Sequence, residues 1–432
     1  MSLFAALPED FLHFVWKTLN FRLKDLRTSQ GDLIQLIRPG IHNQDQGPDF
    51  LQASLRIGQV IWHGQVEIHV KAEDWYRHGH HLDPQYNATI LHVVLQAGKR
   101  PAMRQDGTII PECVLEPHIP SEVIHTYSQI RLSESRIPCA ALLPTVPRFF
   151  RQQWVDRLTI ERMETKAMQF QQEFLADGAD WEEGLWQGLA CYMAGPANQH
   201  AFLQMAQIIP YSIIRHYQHH LPFLESLLFG GIGCLETKSS TDSYYQQLAS
   251  EWAFLQQKHS LDGPQSVLLK FGRMRPASFP TIRLAQLAQL LHQHRPLIKL
   301  LSKEGMTHFL QKDITVSDYW RSHYRFFESS VRRKKSLGTS QKEILVSNVM
   351  IPAAFVYQRA HGREDLYELI ETGLQQLAAE NNRLTRPLEK LGFRNENAFH
   401  SQGLIQLHKH YCSPKRCLSC HLGQRMMKKK DE

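Results

Sequence analysis

Acidic and imidazole side chains are concentrated between residues 43 and 94, beside segments typical of buried β-strands. Asp49 follows a Gly-Pro pair where a strand would begin, and Glu67, His69 and Lys71 alternate with apolar residues on the next strand. Alternation places those three side chains on one face of a sheet. Two carboxylates can hold Mg²⁺ or Mn²⁺ through oxygen ligands, and such an ion polarises a phosphate and activates water. The pattern favours a cation site in which Asp49 and Glu67 supply oxygen ligands and His69 lies beside them.

Further titratable residues flank this set and are predicted to line the site. They are Glu9 on the first helix, Asp74, His78, His80 and His92. The His78-x-His80 pair leaves a zinc hydrolase open as an alternative. His92 lies in an apolar run, which favours a hydrogen-bonded core or cleft histidine over a metal ligand. Glu67, His69 and Lys71 could instead form the solvent-exposed face of an antiparallel strand, the common fate of such alternation.

Cysteines near the C-terminus form a second local pattern, Cys412-x₄-Cys417-x₂-Cys420. Tetrahedral zinc needs four nitrogen or sulfur donors, so the pattern predicts a structural zinc knuckle with a histidine as the fourth ligand. His410 is the predicted histidine, with His408 and His421 as the other choices. An iron–sulfur cluster is the alternative cofactor, completed by Cys113, Cys139, Cys191 or Cys234. Three unligated thiols are the remaining possibility.

The net charge of +7 is unevenly distributed. Residues 1–120 hold 11 Lys/Arg and 13 Asp/Glu, whereas residues 321–335 hold six basic groups and one acidic group. An acidic, histidine-rich segment joined to basic segments favours a polyanion partner, and DNA is the preferred prediction. The predicted phosphate contacts are Arg273, Arg275, Arg332, Arg333, Lys415 and Arg416. A basic tail without a specific role, and an Arg-rich loop with only structural ion pairs, are the alternatives.

Hydrophobic periodicity predicts the elements that position these residues. A helix is predicted over Glu9–Leu23, and strands over Leu33–Ile37, Phe50–Ile57, Val60–Lys71 and Ala88–Leu95. Later helices are predicted over Trp154–Phe174, Arg283–Leu301 and Asp365–Glu380, with linkers at 130–147 and 331–342. The predicted domains are 1–120, 145–330 and 331–432. A chain of 432 residues exceeds one ordinary core.

Composition restricts the class of protein. Hydrophobic content of 42% and charged content of 21% are typical of a soluble globular chain, and no apolar run is long enough to cross a bilayer. The first residues lack the basic segment of a signal peptide. The odd number of cysteines, seven, favours a reducing cytoplasm over a disulfide framework. No membrane partner is expected, and the pattern indicates no particular oligomeric state.

The Asp49…Glu67-x-His69 layout resembles that of PD-(D/E)xK nucleases, with His69 where those proteins carry lysine and Lys71 two positions further on. Trp75-x-x-His78-x-His80 resembles the corresponding run of very-short-patch-repair endonucleases, which share that fold. The resemblance implies a restriction-endonuclease-like domain and Mg²⁺-dependent cleavage of DNA phosphodiester bonds. In that site Asp49 and Glu67 would bind the ion, and His69 would act as base or stabilise charge. Across nearly the whole chain, the sequence also resembles an uncharacterised bacterial domain-of-unknown-function family. That family is marked by blocks including Gly47-Pro48-Asp49-Phe50, Phe271-x-Arg273-x-Arg275-Pro276 and the cysteine tail.

Together these observations predict an α+β protein. A mixed-sheet nuclease-like domain comes first, followed by a mainly helical region and a cysteine-rich metal knuckle. The predicted function is metal-dependent cleavage of DNA through Asp49, Glu67 and His69. A non-catalytic nucleic-acid-binding or scaffold protein with a degenerate nuclease site is the first alternative. A zinc-dependent hydrolase that uses His78 and His80 is the second.

Overall fold

The computed structural model describes residues 7–175, 180–236, 241–263, 269–362 and 366–428. Its described part forms two compact units. The first takes in residues within 1–154, 387–393 and 407–432, and the second takes in residues within 155–386 and 394–406. The predicted boundaries at 120, 145 and 331 are not those of these units. Two C-terminal segments belong to the first unit through contacts between distant parts of the sequence, which local composition does not record.

The first helix, α1 (Glu9–Thr18), forms because apolar residues recur at helical spacing. Its buried side chains include Phe11, Leu12, Val15 and Trp16, while acidic residues in its first turn and Lys17 in its last complement the helix dipole. The helix ends five residues before the predicted limit at Leu23. Leu19 takes a left-handed conformation with φ of 54° and caps the helix, which turns the following chain out of the helical path.

A mixed six-stranded sheet follows α1 in the first unit. Its strands are β1 (Ile34–Arg38), β2 (Ile41–His42), β3 (Phe50–Ile57), β4 (Val60–Lys71), β5 (Thr89–Gln96) and β6 (Glu112–Val114). The order across the sheet is β1-β3-β4-β5-β6, and β2 pairs with β3. Strands β1, β3 and β4 pair antiparallel, whereas β4, β5 and β6 pair parallel. The bounds of β3 and β4 are those predicted from sequence, and β1 and β5 differ from their predictions by one residue at each end.

The crossover from β4 to β5 is the element that completes the site. Parallel neighbours require a connection that returns over the sheet, and this one contains α2 (Asp74–Arg77) and two short 3₁₀ turns. Trp75 anchors it, fully buried, with its indole N–H donating to the Met103 carbonyl at 3.0 Å. The crossover carries His78 and His80. It therefore brings these imidazoles over the strand that carries Glu67 and His69.

Helices make up most of the remaining chain, so the protein is α+β with a mixed N-terminal sheet and a helical region after it. They are α3 (Ser121–Leu132), α4 (Arg148–Phe174), α5 (Trp181–Met193), α6 (Gln199–Ile208), α7 (Tyr211–Tyr217), α8 (Leu221–Gly231), α9 (Ser243–His259), α10 (Pro280–Gln293), α11 (Lys303–Gln311), α12 (Asp318–Arg321), α13 (Thr339–Leu345), α14 (Ile351–Ala360), α15 (Leu366–Gln375), α16 (Thr385–Lys390), α17 (Ala398–Gln406) and α18 (His421–Met426). Two π-helical segments, Val346–Met350 and Leu407–Cys412, and a hairpin of β7 (His323–Arg325) and β8 (Glu328–Ser329) complete the elements. Within these described ranges, no helix has both the length and the apolar character to span a membrane.

Several predicted helix ends differ from those observed. The helix predicted to start at Arg283 begins at Pro280, because proline is suited to the first turn, and it ends at Gln293 before Pro296. The helix predicted over Asp365–Glu380 covers Leu366–Gln375, and Asp365 itself lies outside the described residues. The predicted linkers contain ordered turns of helix, including the last three residues of α3 and the first four residues of α13.

Gly64 is a close-contact position between β4 and β5. A Cβ atom there would lie 2.4 Å from the carbonyl oxygen of Ala88 and 2.6 Å from a side-chain carbon of Ile90. We expect Gly64→Ala to lower the free energy of unfolding by about 1–3 kcal/mol, because backbone has to move to relieve the clash. Chemical denaturation measures this loss. Gly338→Ala is the control, since a Cβ there has nothing within 4 Å; equal losses in both variants would contradict the assignment.

Candidate functional site

Four parts of the first unit supply the candidate site. The chain entering β3 supplies Asp49, β4 supplies Glu67 and His69, and the crossover supplies two further imidazoles. The fourth part is α1, where Glu9 and His13 are one turn apart and share a face. Glu67 and His69 are 4% and 0% exposed. The alternative in which they lie on a solvent-exposed strand face is therefore wrong for these two, because the crossover covers that face.

Asp49 and Glu67 are fixed to each other through the backbone. The Asp49 amide donates to Glu67 Oε2 at 3.0 Å, and the Ile68 amide donates to Asp49 Oδ2 at 2.9 Å. The same Asp49 oxygen lies 3.2 Å from His13 Nε2. This reciprocal pair holds two carboxylates side by side at a set separation, which is the preorganisation a cation site requires.

The second oxygen of Glu67 faces a group of imidazoles. Glu67 Oε1 lies 3.2 Å from His80 Nε2 and 3.6 Å from His69 Nε2, and His78 Nδ1 lies 3.3 Å from His69 Nε2. Gly79 separates the two crossover histidines and takes a positive φ of 78°, which glycine adopts without strain. Tyr86 stacks on the His80 ring at 3.9 Å between centroids. These contacts hold two imidazoles, His69 and His80, at one carboxylate oxygen, with His78 against His69.

A second layer orients His69. Its Nδ1 lies 2.8 Å from His92 Nε2, and His92 Nδ1 lies 3.6 Å from Glu112 Oε2. His92 and His69 are fully buried. The chain from Glu112 through His92 leaves His69 Nε2 directed at Glu67 and His78. At 3.6 Å, Glu112 lies beyond hydrogen-bond distance of His92, so the 2.8 Å contact from His92 is the one that orients the His69 ring.

Burial and crowding perturb the acid–base properties of the cluster. Burial, and then the neighbouring Asp49 carboxylate, raise the pKa of Glu67 to about 9 and that of Glu9 to about 7. Burial, and then the surrounding imidazoles, lower the pKa of His69 to about 2. Carboxylates this close repel one another unless a proton or a cation lies between them. A neutral His69 is suited to ligating a metal and poorly suited to act as a general base.

Two groups of donor atoms in the described chain are close enough to hold a cation. In each group the donor atoms all lie within 4.8 Å of one another: His69, His78 and His80 form one, and Glu9, His13 and Asp49 form the other. Glu67 is a member of neither group but lies beside both: its Oε1 is 3.2 Å from His80 Nε2, and its Oε2 accepts the backbone amide of Asp49. The first group is all nitrogen, whereas the second contains two carboxylates.

The structure places the other predicted residues as follows. Lys71 is exposed at the end of β4, and no hydrogen bond or ion pair within the described ranges joins it to the cluster. Asp74 is buried and pairs with Arg77 at 3.0 Å. Two residues that the sequence prediction missed are His13 and Glu112. The i, i+4 spacing of Glu9 and His13 was a readable signal; Glu112 lies on a different strand, β6, and carries no local signal.

The C-terminal cysteines meet a fourth cysteine. Cys139, Cys412, Cys417 and Cys420 are buried and line one pocket in the first unit, together with Tyr411 and apolar side chains. His410, the predicted fourth ligand, is exposed and is not part of the pocket lining. Its position does not support that prediction, because the chain around Cys412 directs it to the surface.

The six basic residues predicted to contact phosphate are all exposed. In the second unit, Arg332 pairs with Asp318. In the first unit, Lys415 donates to the carbonyls of Arg131 and Ser133 at 3.3 and 2.8 Å. One other basic residue of the 321–335 segment, Lys335, is buried, and its ammonium donates to the carbonyls of Trp320 and His323. Lys335 therefore stabilises the fold and is not available to a partner. The exposed positive surface of residues 321–335 is smaller than their count of basic residues indicates.

A pH dependence of stability follows from Glu67. Between pH 7 and 9 the folded, metal-free protein retains a proton on Glu67 that the unfolded chain has already released, so stability falls as pH rises. We expect the free energy of unfolding of chelator-treated protein to drop by about 1–3 kcal/mol more across this interval in the wild type than in Glu67→Gln. Denaturation at both pH values measures the difference. Glu122→Gln, an exposed carboxylate change on α3, should behave as the wild type; an unchanged slope in Glu67→Gln would contradict the burial argument.

These features define a buried cluster of carboxylates and histidines on a mixed sheet, with donor atoms close enough to hold a cation. The family model described as "Protein of unknown function (DUF2851)" matches residues 9–383, and the chain belongs to that family. No curated protein and no solved structure matches the chain.

Proposed function

We propose that this protein is a metal-dependent phosphodiester hydrolase that acts on DNA. The observation that carries the proposal is the meeting of two groups of metal-ligand donors at one buried carboxylate, Glu67. Asp49 before one strand and Glu67-x-His69 on its antiparallel neighbour is also the layout that the PD-(D/E)xK resemblance implies. The raised pKa of Glu67 gives further support, since a site built for cations is costly to leave fully ionised without one.

The donor chemistry favours different ions at the two positions. Glu9, His13 and Asp49 offer oxygen-rich coordination, which suits Mg²⁺ or Mn²⁺. His69, His78 and His80 offer three imidazoles, a set that suits Zn²⁺ or another transition metal. Glu67 lies between the two groups and would be a ligand available to either ion, with Oε1 beside His80 and Oε2 beside the Asp49 backbone.

The residues of the cluster have different roles in the proposed hydrolysis. A bound ion would supply the positive charge that polarises a scissile phosphate and lowers the pKa of an attacking water. Asp49 and Glu67 would hold the ion, and His92, whose Nε2 lies 2.8 Å from His69 Nδ1, would fix the ring of His69. His69 acts as a ligand in this proposal, rather than as the base first predicted, because its pKa is too low for proton uptake near neutrality. Lys71 has no part in holding the ion.

DNA is proposed as the substrate on the strength of exposed positive charge. Lys415 and Arg416 in the first unit, and Arg273, Arg275, Arg332 and Arg333 in the second, are exposed. Exposed basic side chains bind phosphates in a salt-dependent way. They support binding alone equally well, so a non-catalytic DNA-binding protein is the outcome that a failed cleavage test would favour.

The experiment is a gel assay of the purified protein on linear, nicked, mismatched and single-stranded DNA, with Mn²⁺ or with EDTA. We expect cutting of at least one substrate with Mn²⁺ and none with EDTA. Retention of DNA without cutting under any metal condition would overturn the catalytic proposal and leave the binding protein. Inclusion of RNA in the same series tests the choice of nucleic acid.

A zinc hydrolase is the second candidate, and the convergence of His69, His78 and His80 favours it. It predicts about one zinc per chain that persists when Cys412 and Cys417 are replaced by serine, and that is lost in His80→Ala. His81→Ala is the matched control, because His81 neighbours His80 in the chain but is not part of the ligand group. Zinc that depends only on the cysteines would remove this candidate.

A further inference from the structure

The four-cysteine pocket is separate from the sheet site in its chemistry and residues. Cys139 lies in the turn after α3, Cys412 at the end of the π-helical segment 407–412, and Cys417 and Cys420 in the turn before α18. Each of the four residues is between 6% and 8% exposed. The remaining lining includes Ile137, Leu143, Leu388 and Leu422. Four thiols thus converge from distant sequence into an apolar pocket within one unit.

The four cysteine sulfurs share one pocket, but their spacing is wider than that of four thiolates around a single tetrahedral metal ion. The thiols of Cys139, Cys417 and Cys420 each act electrostatically on Cys412, and burial together with this crowding raises the pKa of Cys139 to about 12. Four thiolates around one zinc lie about 3.8 Å apart, given Zn–S bonds of about 2.3 Å. Among these four residues, all of them in the described chain, no three sulfurs lie within 4.8 Å of one another. A larger inorganic core spaces its cysteine sulfurs more widely.

Hydrogen-bond donors are directed at one of the sulfurs. The amides of Leu422 and Gly423 point to the Cys420 sulfur. The indole N–H of Trp154 also faces it, and that nitrogen is buried with no oxygen or nitrogen acceptor among the described residues. Gly423 permits this approach, since a Cβ there would lie 2.2 Å from the Cys417 carbonyl oxygen. N–H donors to cysteine sulfur are a usual means of stabilising bound iron–sulfur clusters.

We propose that Cys139, Cys412, Cys417 and Cys420 bind an iron–sulfur cluster of the four-iron type, with Cys139 as the fourth ligand. The cluster ties the chain after α3 to the C-terminal segment, and so fixes residues 407–428 within the first unit. This proposal does not depend on the function proposed for the sheet site. Cys113, Cys191 and Cys234 take no part: Cys113 lies in β6, and none of the three lines the pocket.

The test is metal and sulfide analysis of protein purified without oxygen. We expect about four irons and four acid-labile sulfides per chain, with a visible absorption band that bleaches on reduction. Cys139→Ser should lose iron and sulfide together. Cys113→Ser, which removes another buried thiol, and His410→Ala, which removes the rival ligand, should keep both.

Each outcome bears on the proposal. Stoichiometric zinc without sulfide in the wild type would overturn the cluster in favour of a zinc site, and neither zinc nor iron would overturn any metal at these thiols. Full iron and sulfide in Cys139→Ser would overturn the fourth ligand. Because the wild-type analysis needs no variant, the proposal remains testable if Cys139→Ser fails to fold. Iron loss in His410→Ala alone would restore the histidine as ligand.

Discussion

Replacing Asp49 with asparagine is expected to reduce Mn²⁺-dependent DNA cleavage by more than about 100-fold, since removal of even a supporting residue costs 10–100-fold in metal sites. Asparagine keeps the size of the side chain and an oxygen to accept the Ile68 amide bond seen at 2.9 Å. It loses the negative charge that the ion requires. The measurement is the initial cleavage rate on the best substrate from the gel series, beside DNA affinity at fixed salt. Affinity should be retained, because Asp49 is not among the basic contacts.

The matched control for this change is Asp45→Asn. Asp45 lies in the same loop before β3 but is exposed and is not part of either ligand group. It should cleave DNA at the wild-type rate. Retained cleavage in Asp49→Asn, or equal loss in Asp45→Asn, would show that the chemistry lies elsewhere.

The second large effect is the stabilisation that a bound ion gives. Mn²⁺ at about 100 times its dissociation constant should stabilise the wild type by about 2.7 kcal/mol, because it binds the folded state alone. Glu67→Gln should lose most of this gain, since Glu67 faces both ligand groups. Thermal unfolding with Mn²⁺ and with EDTA measures it.

Glu73→Gln supplies the comparison for that experiment, because Glu73 is exposed beside α2. Mn²⁺ should stabilise the Glu73→Gln protein as much as it stabilises the wild type. A Glu67→Gln protein that is stabilised fully by Mn²⁺ would rule out this carboxylate as a ligand. Thermal unfolding of His80→Ala with Zn²⁺ and with Mn²⁺ then shows which ion is bound by the histidine group and which by the group of Glu9, His13 and Asp49.

Local patterns predicted the strands that carry the site. Period-two alternation fixed the bounds of β3 and β4 and correctly placed Glu67 and His69 on one face. Alternation identifies residues that share a face, but it does not say what covers that face. The burial of Glu67 depends on a crossover whose path is set by Trp75 and Gly79. That packing is tertiary, so the exposed-strand alternative could not be rejected from sequence.

The other differences between the predicted and observed sites arise where residues distant in sequence come together in the fold. His13 meets Asp49 only because α1 packs on the sheet, although its spacing from Glu9 hinted at a shared face. Cys139 meets Cys412 across most of the chain, and a search for short cysteine spacings finds only the C-terminal three. His410 lies two residues before Cys412. The π-helical turn that ends at Cys412 instead leaves that histidine exposed.

The two oxygens of Glu67 point to different neighbours, one to the imidazoles and one to the Asp49 amide. If both positions take ions, they share a ligand and cannot fill independently. If Glu67 ligates both, the first ion bound would displace the Glu67 proton, and the second would meet a carboxylate that is already ionised but partly neutralised. By thermodynamic linkage each ion alters the affinity of the other by the same factor. A titration with one metal should therefore depend on how much of the other is present, and reciprocally so.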